Sequence, residues 1–336
     1  MNRRQFRRQS RRHRARTAAT AVALTAALAL TACGSDDSGG GDDGDGNGGG
    51  NGGSRTVETA MGPVEVPEDP QRVVVLDTGE LDTAVTLGIT PVGAVQTDTG
   101  TMFLDYLPQE GLEGIENVGT IASPDLEAIH ELDPDLILGS RIRDEQRYDE
   151  LSQIAPTVFT ENVGAPWQEN FLLHAEALGR SAEAEEVVAA YEARVAEVTE
   201  AVGGAGAAAE TEVSMVRFIE GGNTRLYGAE NFIGTILSDV GLGRPAITAE
   251  AEDGFAVEIS PEQVDRADGD FIFYTSYGSA DASGEDEAVG GPLWEDLTAV
   301  REGRAFRVDD QLWFLGIGYT AAGQILDELQ QHLTHG

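Results

Sequence analysis

The chain has 336 residues and a formal net charge of −37, with 59 acidic residues, 22 arginines, no lysine and one cysteine. So large an excess of carboxylates argues against nucleic-acid or anionic-lipid binding, both of which draw on basic patches. A lone cysteine excludes an internal disulfide.

Residues 1–16 hold eight arginines and no acid, and residues 17–32, "TAATAVALTAALALTA", are apolar. A basic region followed by a short hydrophobic one is the layout of an export signal, and about 16 apolar residues fall short of the roughly 20 that span a bilayer. "NRRQF" (2–6) resembles a twin-arginine signal, with Asn2 where that pattern carries Ser or Thr; the general export route stays open. The apolar run ends in "LTAC" (30–33), which resembles a lipobox, and Cys33 is accordingly expected to carry a lipid anchor. The segment "GSDDSGGGDDGDGNGGGNGGS" (34–54) has no apolar residue and reads as a disordered tether, with a reach of about 25 Å. Without 1–32, 14 basic residues face 59 acidic ones.

Beyond the tether, strand-like runs alternate with helical patterns. "RVVVLD" (72–77), "PVGAV" (91–95), "DLILGS" (135–140) and "PTVFT" (156–160) read as strands; 79–88 and 148–155 read as helices. From Ser181, read as an N-cap, the residues Ala184, Val187, Val188, Tyr191, Val195 and Val198 keep helical spacing until "GGAGAAAE" (203–210). That predicts one helix of about 22 residues and about 33 Å, long enough to act as a rigid strut. Strands follow at 213–219, 225–228, 270–276 and 304–309, with helices at 231–241, closed by Gly241, and at 319–333. The alternation predicts an α/β chain with buried parallel strands.

One phrase occurs twice. "LEAIHELDPDLILGS" (126–140) aligns without a gap on "PEQVDRADGDFIFYT" (261–275), with Glu127 on Glu262, Asp133 on Asp268 and Asp135 on Asp270. The copies flank the predicted strut, which implies two similar lobes. Ser123-Pro124 and Ser260-Pro261 precede the copies and read as an N-cap followed by a first-turn proline. Glu127 and Glu262 then fall in the first helical turn, where the helix dipole alone favours a carboxylate by about 0.3–1 kcal/mol.

These stretches, with "RVVVLDTGELDTAVTLGITPVGA" (72–94), "NFIGTILSDVGLGRP" (231–245) and "PLWEDLTAVREGRAFRVDD" (292–310), resemble the substrate-binding lipoproteins of iron–siderophore ABC transporters across nearly all of 65–334. The resemblance implies two Rossmann-like α/β lobes with central sheets, joined by a single long rigid helix, with the ligand in the cleft between them. The expected division is an export signal (1–32), a lipidated cysteine and linker (33–54), an N-terminal lobe (55–166), helices including the long one (167–203) and a C-terminal lobe (204–336). It further implies a ferric siderophore as ligand, no intrinsic cofactor, no catalysis, and a monomer held to the outer face of the cell membrane by its lipid. An ABC permease dimer is the implied partner, with Glu127 and Glu262 docking on its two subunits.

Cleft contacts are expected from loops at the C-terminal ends of strands. Arg can pair with chelating oxygens and aromatic rings can pack on the ligand's π surfaces, which selects, in order, Arg225, Arg141, Trp313, Tyr227, Tyr274, Arg217 and Trp167. Structural readings stand beside three of the loop residues: surface pairing with Asp144 or Glu145 for Arg143, helix packing for Trp167, and an exposed loop position for Tyr277. Arg143, and Thr78, Gly79 and Glu80 after the first strand, sit at similar loop positions. His130, His174, His332 and His335 form no spacing suited to a metal, so the metal is expected to arrive caged by its chelator. The same fold with haem, cobalamin or ferric citrate is the nearest alternative; a secreted α/β hydrolase is remote, since no G-x-S-x-G elbow occurs.

Overall fold

The computed structural model describes residues 53–335 except 99, 101, 102 and 222; the expected signal, Cys33 and nearly all of the tether lie outside the described residues. A hairpin, β1 (Ser54–Thr59) and β2 (Gly62–Pro67), opens the fold. Next come β3 (Val73–Val75), α1 (Thr78–Thr86), β4 (Gly93–Gln96), β5 (Glu116–Thr120), β6 (Ser123–Pro124) and α2 (Leu126–Glu131). β7 (Leu136–Ser140), α3 (Arg141–Asp144), α4 (Tyr148–Ile154) and β8 (Thr157–Thr160) complete the first half. Its sheet has the order β6-β5-β4-β3-β7-β8 and is parallel except at the β5–β6 edge.

Two helices follow, α5 (Trp167–Leu178) and α6 (Ser181–Ala201), then the short α7 (Ala205–Glu210). The second half contains β9 (Val213–Ile219), β10 (Asn223–Tyr227), α8 (Phe232–Val240), β11 (Ala256–Ile259) and β12 (Phe271–Tyr277). Three short helices, α9 (Glu285–Val289), α10 (Pro292–Glu295) and α11 (Thr298–Arg301), lead to β13 (Ala305–Arg307) and the final α12 (Tyr319–His335). The order is β11-β10-β9-β12-β13. Only β9, β12 and β13 are parallel; β10 pairs antiparallel with both neighbours. The expectation of parallel strands fails here because residues 220–222 are too few for a crossover, which leaves a hairpin.

Alternation along the central strands explains how the halves join. Val73, Val75, Leu136 and Leu138 enter the same core as Val213, Met215 and Phe273, together with residues of α1, α5, α6, α8 and α12. The intervening Val74, Leu76 and Ile137 face a separate cluster with Ile129 and Phe159, while Val216, Phe218 and Ile272 face another with Trp294. Each sheet thus shares one face with the helical layer and covers the other with its own helices.

The predicted strut is α6, 21 residues long. Ala184, Tyr191 and Val198, seven apart, are its buried positions, and Val187, Val188 and Val195 pack beside them. The Tyr191 hydroxyl donates to Asp239 on α8 at 2.7 Å, and Arg194 Nε donates to Asp327 on α12 at 2.9 Å. The helix is therefore clamped along its length rather than free-standing. Its N-cap is Arg180, one residue before the expected Ser181, and within "GGAGAAAE" the two leading glycines form a break after which the remaining six residues make α7. Gly241 closes α8 in the left-handed conformation, as expected.

The duplicated phrase folds alike but not identically. The first copy is an α-helical turn, α2; the second is a 3₁₀ turn over Pro261–Ala267. Asp125, not Ser123, caps α2: its Oδ1 accepts from the amides of Glu127 and Ala128, both at 3.1 Å. Ser123 and Pro124 are consumed by β6. In the second copy Ser260 is the N-cap, with Pro261 at the head of the turn. The strand-leading aspartates share one role. Asp135 accepts from the amides of Gln71 and Arg72 at 2.8 Å, and Asp270 accepts from that of Glu212 at 2.9 Å, each tying down the chain that enters the adjacent strand.

Candidate functional site

A cleft of ≈200 Å3 opens between residues of the two halves. One wall carries Arg143, delivered by α3 at the C-terminal end of β7. Opposite stand Arg217 on β9 and Tyr227 on β10, with Phe255 and the Asn231–Ile233 start of α8. The floor is Val163–Ala165 and Ile317, and a π-helical turn over Gln311–Leu315 places Trp313 and Phe314 against the same space. The Gly316 amide donates to the Gln311 carbonyl at 2.7 Å; such one-turn widenings often occur at functional sites.

The two cleft arginines are held differently. Arg217 is committed within the protein: Nε and Nη2 donate to the two oxygens of Asp310 at 2.7 and 2.6 Å, and Nη1 reaches the Tyr227 hydroxyl at 3.4 Å. Its guanidinium also stacks over Phe314 and Tyr277, 4.9 and 4.8 Å from the ring centres. Burial works against the Arg217 charge, but Asp310 more than offsets it and holds the guanidinium above its ordinary pKa. The same burial lifts Asp310 above the usual carboxylate value, against the pull of Arg217. Arg143 uses only Nε, donating to Asp77 at 3.0 Å, while its side chain stays 42% exposed. Asp77 is itself buried and caps α1, accepting from the Thr78 amide at 2.7 Å. Among the described residues the terminal nitrogens of Arg143 have no partner, and the buried Asp77 fixes the position of the side chain.

A second, shallower recess beside it is lined by Arg141, Arg143 and Arg147. Arg141 pairs with Glu161 at 2.8 Å and Arg147 with the buried Asp144 at 2.8 Å. Three cations thus line one wall in a chain poor in basic residues.

Of the predicted contacts, Arg217, Tyr227 and Trp313 line the cleft and Arg141 the adjoining recess. Trp313 is nonetheless fully buried, stacked on Phe273 and donating Nε1 to Glu328 at 2.6 Å. Three candidates lie elsewhere. Arg225 turns onto Glu258 of the neighbouring strand, Nε to Oε1 3.2 Å, and is not among the cavity-lining residues. Tyr274 alternates onto the far face of β12, against Trp294. Trp167 packs edge-on against Tyr191, Phe232 and Tyr319 and donates to Thr235 at 2.8 Å; it takes the helix-packing role. The pattern had no means to single out Phe255 or Asp310, whose partners Tyr227 and Arg217 lie far away in the chain, and it gave no sign that Asn231 and Arg147 would line the cleft and its recess. No cluster of three or more His, Cys, Asp or Glu suited to a metal occurs among the described residues.

Glu127 and Glu262 are both exposed. A bond from Ser260 and the local backbone hold Glu262 below the usual glutamate pKa, so it stays charged. Glu262 also borders a partly apolar groove with Pro261, Val264 and Leu293.

Two lobed sheets around a cleft, with a long helix packed between them, are the architecture of a two-lobed solute-binding protein. The chain belongs to the periplasmic binding protein family, whose model matches residues 73–312. It is 37% identical over 290 residues to the probable siderophore-binding lipoprotein YfiY of Bacillus subtilis, covering 83% of this chain and 87% of that one. It is 31% identical to the achromobactin-binding periplasmic protein of Dickeya dadantii, covering 77% and 85%. Among solved structures it is similar to Staphylococcus aureus SirA complexed with staphyloferrin B, with a TM-score of 0.74, 32% identity, and coverage of 83% of this chain and 98% of that one. These relatives are binding proteins.

Proposed function

We propose that this protein is a lipid-anchored binding protein on the outer face of the cell membrane that captures a ferric siderophore and hands it to an ABC importer, without catalysing a reaction. The observation that carries this reading is the cleft: a fixed but ligand-accessible Arg143 facing an aromatic wall of Tyr227, Phe255 and Phe314. Such a wall suits a bulky, anionic, partly π-rich chelate, and the names of the relatives agree. Haem is less well served. The Tyr227 hydroxyl is engaged by Arg217 and Tyr274 lies on the other side of its sheet, so neither offers a free axial ligand. Cys33 carries the anchor, and the monomer docks on the permease dimer through Glu127 and Glu262, one per lobe.

Tryptophan-fluorescence titration with ferric citrate, a ferric catecholate, a ferric hydroxamate and haemin tests the ligand class. Saturable quenching by an anionic ferric complex is the expected result. Binding of haemin alone, or of none of the four, would overturn it.

A further inference from the structure

Behind the cleft floor lies a second cavity of ≈20 Å3, whose lining includes Asp77, Glu80, Val163, His174 and Ile317. Val163 and Ile317 border both this cavity and the cleft, so the two share a wall. Glu80 and His174 are buried at 2% exposure, with Glu80 Oε1 and His174 Nε2 3.9 Å apart. Glu80 Oε2 and both His174 ring nitrogens have no hydrogen-bond partner among the described residues. The cavity has room for about one water, which is how such a gap between buried polar atoms is normally bridged. Here a carboxyl that the binding reading does not use sits one turn along α1 from Asp77, the residue that anchors Arg143.

Around Glu80 the charged and titratable groups are Asp77, at the head of α1; Arg143 and Asp144, from α3; and His174, from α5. Burial first, then the charge of Asp77, lifts the Glu80 pKa to about 8. Burial lowers that of His174 to about 4, opposed by the Gly139 carbonyl, which lies near the ring without completing a hydrogen bond. Near neutrality both are uncharged, and the 3.9 Å contact is not an ion pair. Arg143 is then engaged only through Nε by Asp77, while Asp144 pairs with Arg147, and the terminal nitrogens of Arg143 still face the cleft as a cation. An ionised Glu80 would put a further negative charge behind them, and the wall would attract an anion less.

We propose that Glu80 is a specificity-setting residue of the cleft: as a carboxylic acid beside His174 it leaves the Arg143 charge available to an anionic ferric chelate, and as a carboxylate it offsets part of that charge. This rests on the ferric-chelate reading above. The sign follows from linkage: an anion in the cleft disfavours Glu80 ionisation, so binding holds the proton on, and affinity falls as pH rises through the free-state value.

The test uses the full chain and whichever of ferric citrate, the ferric catecholate or the ferric hydroxamate binds at pH 6.5, titrated at pH 6.5 and pH 9 in the wild type and in Glu80→Gln. Comparing the two proteins with one probe removes the probe's own titration. The wild-type affinity should fall on the order of tenfold more than that of Glu80→Gln, as expected for one added charge at partly screened range. Parallel pH profiles would overturn the inference and leave the ferric-chelate reading standing; failure of all three complexes to bind at pH 6.5 overturns both. Should Glu80→Gln not fold, calorimetry of the wild type near pH 8 in buffers of different ionisation enthalpy decides the matter: uptake of protons on binding supports the assignment, and none refutes it.

Discussion

Asp310→Ala should reduce the stability of the protein by about 3–5 kcal/mol. The substitution removes both carboxylate oxygens that accept from Arg217 Nε and Nη2 at 2.7 and 2.6 Å. Arg217 is only 8% exposed, so water compensates for them only in part, and its remaining hydrogen-bond partner is the Tyr227 hydroxyl at 3.4 Å. An uncompensated buried cation is what makes breaking such a pair costly, whatever the pair's own net worth. The Phe314 and Tyr277 faces retain only about 0.5–2 kcal/mol of attraction for it, and they are present in both proteins. Against a typical total of about 5–15 kcal/mol the loss is large. Urea unfolding followed by tryptophan fluorescence measures it, with Arg217→Met and Arg217→Met/Asp310→Ala completing a double-mutant cycle. The double variant should recover most of the loss, because no charge is left buried. A loss under about 1 kcal/mol for Asp310→Ala, or a double variant as unstable as the single one, would refute the reasoning, since a rim-exposed pair behaves that way.

Arg143→Ala should weaken binding of an anionic ferric complex by roughly tenfold or more, about 1.4 kcal/mol, while Arg225→Ala, whose guanidinium is turned onto Glu258, should change it little; equal effects would remove Arg143 from its place. Glu127→Ala combined with Glu262→Ala should abolish uptake of the ferric complex by cells with affinity in solution intact; lost affinity would argue that these carboxylates serve the ligand instead. The Glu80 pKa in the folded protein, about 8, lies above its ordinary value of 4.5. Its favourable contribution is therefore complete below about pH 4.5 and lost as pH rises through about 8. Relative to Glu80→Gln, the wild type should lose stability by up to about 1.4 kcal/mol per pH unit across that window; urea melts at pH 5.5 and 7.5 should diverge, and coincident differences at the two pH values would show that Glu80 ionises normally.

Most of the architecture is legible along the chain because it depends on local period. The stretches 73–76 and 136–138 are apolar at every position and 213–219 at five of seven, and strands buried on both faces read that way. Ala184, Tyr191 and Val198 reveal a helix with a seam to bury before any partner is known. The duplicated phrase reveals two related halves, and its aspartates at 135 and 270 turn out to brace equivalent strand entries. The β9–β10 hairpin was open to the same reading, through the shortness of residues 220–222, but the apolar runs on either side masked it.

The cleft was legible only by residue type. Which of several arginines faces it depends on pairings between residues far apart in sequence: Arg217 with Asp310, 93 positions away, Arg143 with Asp77, 66 away, and Arg225 with Glu258, 33 away. The side of the sheet mattered equally, since Tyr274 is lost to the far face of its strand by alternation. Composition and period along the chain determined the α/β class, the long helix, the doubled lobe and the pair of exposed glutamates, because each is a property of neighbours within a few residues. The tertiary structure alone decided which charges cancel, which remain available at the cleft and which carboxyl is buried behind its floor, because desolvation and Coulomb attraction act through space and not along the backbone.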